Sequence, residues 1–341
     1  MRFMSTPYHA AARAIRLLPL AIALAGAAAA APTLAAELSP PAQARVQAPG
    51  FYRMMLGSFE VTALSDGTVA VPLDQLLHNP PADTARRLAQ AHLGTRAETS
   101  INAFLIHTGS HLALVDTGAG DLFGQAGGQL LDSIRAAGYR PEDIDTVLLT
   151  HIHADHSGGL TRQGKRMFPS ADIRVSQRDV DFWLNPANAG KVAKEERHSF
   201  ADSEAALRPY IEAGRLKPFD GETELLPGIR AVSGAGHTPG HTLYEVQSEG
   251  KKMVLWGDLI HAQDVQFAKP GVTIRFDVDA AAAAKQRLAR MDEAARQGWL
   301  VGAAHIRFPG LGYVRRDGAG YAWQPVPYSL AGLKPAAAPA R

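Results

Sequence analysis

The chain has 341 residues, enough for one large domain or two ordinary ones, and 46% of them are hydrophobic and 20% charged. Its formal net charge is only +2 and its Lys and Arg residues are scattered, so nucleic acid is not an expected partner. The absence of cysteine excludes disulfides and thiolate ligands, and it leaves His and carboxylates to hold any metal ion.

The N-terminal segment has the pattern of a secretory signal peptide. Arg13 and Arg16 precede the apolar run LLPLAIALAGAAAAA, and small residues follow it. We therefore expect residues 1–36 to be removed and the mature protein to be periplasmic or secreted, without a stable membrane anchor. An uncleaved membrane anchor is the alternative. Residues 37–50, which are rich in Pro, predict a flexible leader before one folded domain at 51–341.

The first half of this domain reads as strands with one helix. FYRMMLGSFEVTALSDGTVAVP predicts strands joined by tight turns at Gly57 and at Asp66-Gly67. TSINAFLIHTG and HLALVDTG predict two more strands. Apolar residues at helical spacing predict a helix at 127–137, and DTVLLT then predicts a buried strand.

The second half repeats this alternation. ADIRVS, GIRAVSGAG, LYEVQSEGKKMVLWGD, GVTIRFD and WLVGAAHI predict strands, and GYVRRDGAGYAWQPV predicts a hairpin. Helices and loops are expected between QRDVDFWL and residue 214, and 279–297 is the clearest helix. Two runs of strands punctuated by helices predict an α/β protein with two packed sheets and helices outside.

Four strong metal ligands follow DTVLLT within six positions, in HIHADH. His151 and His153 alternate as strand residues do, so both can point the same way. The chain must then turn, which brings Asp155 and His156 to a neighbouring point, and the SGG that follows permits a close turn. This arrangement suits two adjacent metal ions better than one.

Further candidates end four separate apolar strands: Asp116 in LALVDTG, His237 in GAGHTPGHT, Asp258 in MVLWGDLI and His305 in LVGAAHI. Core packing does not explain polar ligand types at these positions. Asp116 is also open to interpretation as a cap of the turn that follows it.

His241 is interpreted as lying outside the ligand set. Ordinary core or surface roles are expected for the remaining histidines of the domain: His78, His92, His107, His111 and His198.

HIHADH together with GHTPGHT, LWGD and the late AAH resembles the metallo-β-lactamase superfamily, over the chain from about Phe51 to the C-terminus. The resemblance implies an αββα sandwich of two mixed β-sheets with helices on the outside. It also implies three ligands for each of two metal ions: His151, His153 and His237 for the first, and Asp155, His156 and His305 for the second.

The same resemblance makes Asp258 the bridge between the ions and Asp116 a support for a ligand or loop. The implied cofactors are two divalent metal ions, with zinc expected first and manganese, cobalt and iron as alternatives. A hydroxide shared by the ions is expected to attack the substrate. Asp258, Asp155 and His261 are the residues expected to take part in catalysis.

PGFYRMMLGSFEV, VDTGAGDLFG, DFWL and GDLI resemble more narrowly the exported methyl parathion hydrolase group and its lactonase-like relatives. This implies a substrate pocket lined by Leu76, Phe123, Trp183, Phe200, His261, Ile274 and Phe276. Plain core packing is the alternative for the aromatic residues. His261, Ile274 and Phe276 differ from the residues associated with the phosphotriesterase members, and they are expected to narrow the pocket.

The expected activity is therefore hydrolysis of lactones or aryl esters. Hydrolysis of organophosphate triesters and non-enzymatic metal binding are the alternatives. Hydrolysis of β-lactams or of hydroxyacyl-glutathione is less expected. A diiron redox protein of this fold is disfavoured because such proteins carry a Glu where His153 stands here. A homodimer is a further expectation.

Overall fold

The computed structural model describes residues 42–334, so the predicted signal peptide and the first part of the leader lie outside the described residues. Residues 42–50 contain neither helix nor strand, and from Gln47 onward the described chain forms one compact unit. Within the described range, no helix is both long enough and apolar enough to cross a membrane.

Most of the predicted elements are present. The strands of residues 42–334 are β1 (Phe51–Leu56), β2 (Phe59–Pro72), β3 (Arg96–His107), β4 (Leu112–Val115), β5 (Thr146–Leu148), β6 (Thr161–Arg162), β7 (Lys165–Arg166), β8 (Asp172–Arg174), β9 (Thr223–Leu226), β10 (Ile229–Ser233), β11 (Thr242–Ser248), β12 (Lys251–Leu255), β13 (Leu300–Gly302), β14 (Leu311–Asp317) and β15 (Gly320–Pro325). The α-helices are α1 (Leu73–Leu76), α2 (Pro81–Gln90), α3 (Leu130–Ala136), α4 (Ala154–Ser157), α5 (Gln177–Trp183), α6 (Ser199–Glu212), α7 (Gln263–Gln266) and α8 (Ala280–Gln297).

Two mixed sheets organise the chain. The first has the order β1-β2-β3-β4-β5-β8, and the second has the order β15-β14-β13-β12-β11-β10-β9. β4, β5 and β8 are parallel to one another, as are β12 and β13, whereas the other pairs in these sheets are antiparallel. The predicted αββα sandwich with two mixed sheets is confirmed.

Strand β3 shows how side-chain alternation divides the core. Phe104 and Ile106 join a buried cluster with Tyr244 and Leu255 of the second sheet. Leu105, on the opposite face, lies in a separate cluster with residues of α3, α5 and α6. Because successive strand residues point to opposite faces, one apolar strand serves both the interface between the sheets and the layer of helices.

Two local predictions were wrong. Asp66-Gly67 is a bulge inside the continuous strand β2 rather than a turn, since the pairing with β3 shifts between Ser65 and Gly67. The bulge directs the Asp66 carboxylate inward, where it accepts hydrogen bonds from the backbone N–H groups of Ala119, Gly128 and Leu130. The segment GVTIRFD, described throughout, contains no strand; it forms only an isolated bridge between Leu77 and Ile274.

The parallel strands place their carboxyl ends at a common edge. β4 and β5 end at Val115 and Leu148, and β12 and β13 end at Leu255 and Gly302. Each of these strands is followed within a few residues by one of the polar residues that the sequence singled out. Binding sites of sheets with parallel strands form at such edges, where loops follow the strands.

Gly159 lets the loop after HIHADH lie directly against the loop after β4. A Cβ at Gly159 would lie 1.9 Å from the carbonyl oxygen of Thr117, so a side chain there requires the two loops to separate. We expect Gly159→Ala to lower the free energy of unfolding by about 1–3 kcal/mol. Denaturant unfolding in the presence of a chelator measures this without a contribution from bound metal.

Gly94→Ala is the matched control, because a Cβ at Gly94 meets nothing within 4 Å. Equal unfolding midpoints for the Gly159→Ala and Gly94→Ala variants would contradict the close-contact interpretation.

Candidate metal centre

The seven predicted metal ligands meet at the common edge of the two sheets. His151, His153, Asp155 and His156 follow β5, and α4 turns the last two toward the first two. The other three come from the loops after β10, β12 and β13: His237, Asp258 and His305. All are buried except Asp155, whose side chain is 19% exposed.

The first cluster consists of His151, His153, His237 and Asp258, whose ligand atoms lie within 4.8 Å of one another. The Nδ1 atom of His153 is 3.0 Å from Nε2 of His151 and 3.0 Å from Nε2 of His237. The Oδ2 atom of Asp258 is 3.2 Å from Nε2 of His237 and 3.7 Å from Nε2 of His151. Three imidazole nitrogens and one carboxylate oxygen therefore converge on one point.

The second cluster consists of Asp155, His156 and His305. Nε2 of His305 is 3.3 Å from Oδ2 of Asp155. The other oxygen of Asp258, Oδ1, is 3.0 Å from Nε2 of His156 and 3.1 Å from Nε2 of His305. The two oxygens of Asp258 thus face different clusters, which is the geometry of a bridging carboxylate.

Divalent cations fit these donor atoms. Nε2 of His156 and Oδ1 of Asp258 are buried and make no hydrogen bond within the described chain, although they lie 3.0 Å apart. Burial and the neighbouring histidines keep the pKa of His153 well below its usual value, so this imidazole is neutral and its lone pair is free. Burial opposes protonation of His156, His237 and His305, but the nearby carboxylates raise their pKa values above the usual range, so a divalent cation would take the place of these protons.

Asp116 holds one histidine of each cluster. Its Oδ2 accepts a hydrogen bond from Nδ1 of His156 over 2.9 Å, and the hydroxyl of Thr150 donates to the same carboxylate over 2.9 Å. Oγ1 of Thr150 lies 3.1 Å from Nδ1 of His151 and can accept its proton. Engaging Nδ1 leaves Nε2 of each ring as the ligand atom. These contacts fix the orientation of both rings, and the predicted role of Asp116 as a support for metal ligands stays a prediction.

The remaining imidazoles are also oriented from outside the clusters. Nδ1 of His237 lies 2.9 Å from Oδ1 of Asp277, and Nδ1 of His305 donates to the carbonyl oxygen of Ser100 over 2.8 Å. Burial alone lowers the pKa of His237, but the carboxylates of Asp258 and Asp277 raise it to about 9. Both rings present Nε2 to the centre of the site.

A cavity of about 290 Å³ opens beside the clusters. His153, Asp155, Asp258 and His305 form part of its lining. Its other walls are largely apolar, and five of the predicted pocket residues lie in them: Leu76, Phe123, His261, Ile274 and Phe276. The two metal clusters therefore face a space large enough for a small organic substrate.

Two of the predicted pocket residues, Trp183 and Phe200, lie outside the lining of this cavity. Both are buried in the core under the helices, with their ring centroids 4.9 Å apart. Trp183 lies edge-on to His153, 4.9 Å between centroids, and borders only a smaller neighbouring cavity of about 50 Å³. Trp183 thus packs against His153, and Phe200 packs against Trp183 and Phe182.

A family model described as the metallo-beta-lactamase superfamily matches residues 96–297, more than half of the chain. The chain belongs to the metallo-β-lactamase superfamily. The sandwich of two mixed sheets and the His/Asp clusters at its edge agree with this membership.

Two solved structures relate this superfamily member to hydrolases. The hydrolase AbOPH is 35% identical, with a TM-score of 0.79 over 83% of this chain and 100% of its own. AidC, described as a dizinc quorum-quenching lactonase in complex with a product, is 27% identical, with a TM-score of 0.77 over 82% of this chain and 99% of its own.

Curated relatives match shorter segments. A ribonuclease of Thermus thermophilus is 33% identical over 171 residues, which are 49% of this chain and 36% of the relative. An N-acyl homoserine lactonase of a Bacillus species is 24% identical over 127 residues, which are 37% of this chain and 42% of the relative. This superfamily member thus has lactonase-like relatives, and the narrower resemblance to the methyl parathion hydrolase group stays a prediction.

Three buried residues of the site were not assigned from the sequence. Nδ1 of His241 donates to the carbonyl oxygen of Gly234, and its Nε2 accepts the backbone N–H of Asp258 over 3.0 Å. Asp179 accepts from the backbone N–H groups of Ile152 and Gly240, which joins the two histidine-bearing loops. The third residue is Asp277, whose Oδ1 lies 2.9 Å from Nδ1 of His237. Of these three residues, only His241 could have been suspected from the sequence, because it is the second histidine of the GHTPGHT motif.

Two polar residues of the cavity lining were also not predicted from the sequence. Glu196 and His198 both belong to its lining, and His198 had been expected to play an ordinary role. Burial raises the pKa of Glu196, while the nearby imidazole of His198 opposes this shift. Neither residue stands in a motif, so the sequence offered no reason to single them out.

We expect the purified protein to retain two divalent ions per chain, and zinc to be the metal it takes up. Asp258→Ala removes one carboxylate oxygen from each cluster, so both ions should bind at least about tenfold more weakly. Metal analysis after dialysis against graded chelator measures this. Asp264→Ala, which removes a carboxylate paired with Arg307 in the same region, is the control and should keep both ions. Two tightly held ions in Asp258→Ala would contradict a bridging role.

Proposed function

We propose that this protein is a binuclear metal-dependent hydrolase that opens lactones or hydrolyses aryl esters. The observation that carries the proposal is the shared carboxylate of Asp258, whose oxygens face two separate clusters at the floor of a largely apolar cavity. Two metal ions at the base of the cavity would activate water for hydrolysis, and the apolar walls would favour a flat, weakly polar substrate.

The shape of the cavity favours a lactone or aryl ester over a bulkier phosphotriester. Ile274 is fully buried, and the bridge between Leu77 and Ile274 ties this wall to the segment after β2. The rings of His261 and Phe276 lie 6.1 Å apart on the same side. AidC, which is described as a dizinc lactonase, supports both the metal and the substrate class.

The chain's own residues bind and orient the substrate, and they exclude water from its reacting carbonyl group. When bound, two divalent cations lower the pKa of a water molecule toward neutrality and polarise a carbonyl oxygen. Asp258 contacts both clusters and so fixes their separation. Asp155 lies on the side of the second cluster that faces the cavity. The apolar walls exclude bulk water, which strengthens every electrostatic interaction at the cavity floor.

His261 is the residue we propose for handling a proton. Its Nε2 lies 3.0 Å from Oδ2 of Asp258, and its Nδ1 has no hydrogen-bond partner among residues 42–334. Burial lowers its pKa, although the carboxylate of Asp258 partly opposes this shift. A neutral imidazole whose Nε2–H is donated to Asp258 has an open lone pair on Nδ1, which can take a proton from water; the imidazolium so formed can then give that proton to the oxygen that leaves when the ester bond breaks, which returns the ring to its neutral form.

Paired kinetics on an aromatic lactone and an aryl phosphotriester test the substrate class. We expect fast lactone opening and slow phosphotriester hydrolysis by the same preparation. Phe276→Ala should lower kcat/KM for the aromatic lactone about tenfold, because part of an apolar contact is lost. Hydrolysis of the phosphotriester should be unchanged or faster, because the cavity is wider.

Tyr313→Ala is the control, since Tyr313 is an exposed aromatic residue outside the cavity lining. A preference for the phosphotriester would favour the organophosphate hydrolase alternative. Tightly bound metal without turnover of either substrate would favour a metal-binding protein.

We also propose that the protein is exported and cleaved near Glu37, on the basis of the arginines, the apolar run and the small residues that precede this position. Expression of the full chain in a Gram-negative host, followed by fractionation and intact-mass measurement, tests this. A periplasmic chain that begins near Glu37 is expected. A full-length chain in the membrane fraction would indicate an uncleaved anchor.

A further inference from the structure

Arg287 is a buried cation on the inner face of α8, with a side chain that is 0% exposed. Its Nε donates to the carbonyl oxygen of Leu259 over 2.6 Å. One terminal nitrogen donates to the carbonyl oxygens of Pro270 and Val272 over 3.1 and 2.7 Å. Arg287 therefore fastens both ends of the segment that follows Asp258, which carries His261.

The other terminal nitrogen of Arg287 makes no hydrogen bond in the described part of the chain, and it lies 4.0 Å from Oδ2 of Asp277. The Asp277 side chain is also 0% exposed, and its Oδ1 lies 2.9 Å from Nδ1 of His237. Its Oδ2 accepts the backbone N–H of Ile274, a wall of the cavity. A buried path thus leads from α8 through Asp277 to a ligand of the first cluster.

The beginning of α8 is attached to the same loop by its backbone. The N–H groups of Val278 and Asp279 donate to the carbonyl oxygens of His237 and Gly236 over 2.9 Å each. A Cβ at Gly236, where φ is +149°, would lie 2.3 Å from the backbone nitrogen of Ala283. The helix and the histidine loop are therefore in direct contact.

We propose that Arg287 is a positioning residue for the first metal cluster, acting on His237 through Asp277 while it holds the segment after Asp258 against α8. This inference rests on the proposed binuclear function. Removing one member of a buried ion pair leaves the other charge buried without compensation, and the carboxylate that Arg287 would leave in this way is that of Asp277. Supports of this kind typically change metal affinity by about 10–100-fold.

The test measures zinc affinity at each cluster separately, by competition with a chromophoric chelator. A His305→Ala background weakens the second cluster and reports on the first, and a His153→Ala background does the reverse. We expect Arg287→Met to weaken zinc binding about tenfold in the His305→Ala background and to leave it unchanged in the His153→Ala background. Arg287→Lys should restore part of the affinity, since it retains the positive charge near Asp277.

Arg296→Met is the matched control, because Arg296 lies on an exposed face of the same helix and pairs with Asp292. A double-mutant cycle with Asp277→Asn decides the route: if Arg287 acts through Asp277, the two losses are less than additive. Additive losses, or equal weakening in both backgrounds, would overturn the proposal and leave Arg287 as a structural clamp. If Arg287→Met does not fold, Arg287→Lys is measured in its place. The proposal would then be overturned if Arg287→Lys binds zinc with full wild-type affinity and its effect is additive with that of Asp277→Asn.

These readouts do not use lactone turnover. Failure of the lactonase proposal would leave the zinc affinities and the cycle intact, whereas failure of the Arg287 proposal would leave turnover by the wild-type protein intact.

Discussion

The convergence of imidazole and carboxylate lone pairs in a buried place is the constraint on which the site depends. Imidazole nitrogens 3.0 Å apart and the carboxylates beside them compete for the same few protons, so the fold must hold these groups together until a cation takes the place of the protons. It does so by engaging the outward nitrogens of the rings. Asp116, Asp277 and the carbonyl oxygen of Ser100 each bind an Nδ1 atom, and the rigid strand ends behind them resist rotation of the rings.

The sandwich architecture makes this arrangement possible because it brings strand ends from two sheets to one edge. HIHADH comes from the first sheet, and His237, Asp258 and His305 come from the second. Asp179 and Asp66 then join loops that are distant in the chain. Tyr244 adds a direct link between the sheets, since its hydroxyl donates to the carbonyl oxygen of Leu149 just before the metal-binding motif. The site is therefore a property of the contact between the sheets.

The ligands were predictable from the sequence because their chemistry is local: a polar ligand type at the end of an apolar strand is unusual, and His151 to His156 form a dense motif. Asp179, Asp277 and Arg287 were not, because a single charged residue in a helix or loop has no distinguishing pattern before its partners are known. The sequence could not separate a pocket role from core packing for Trp183 and Phe200, because an aromatic residue has the same pattern in a core as in a pocket wall. Asp66-Gly67 suits a turn and a bulge equally, and only the pairing partner decides between them.

The position of Trp183 gives the first cluster an intrinsic optical signal. Its indole is buried, edge-on to His153, and its Nε1 makes no hydrogen bond in the described chain. A positive charge placed at Nδ1 of His153 changes the electric field across that indole at short range. The emission of Trp183, one of the four tryptophans of the chain, is therefore expected to respond when a cation occupies the first cluster.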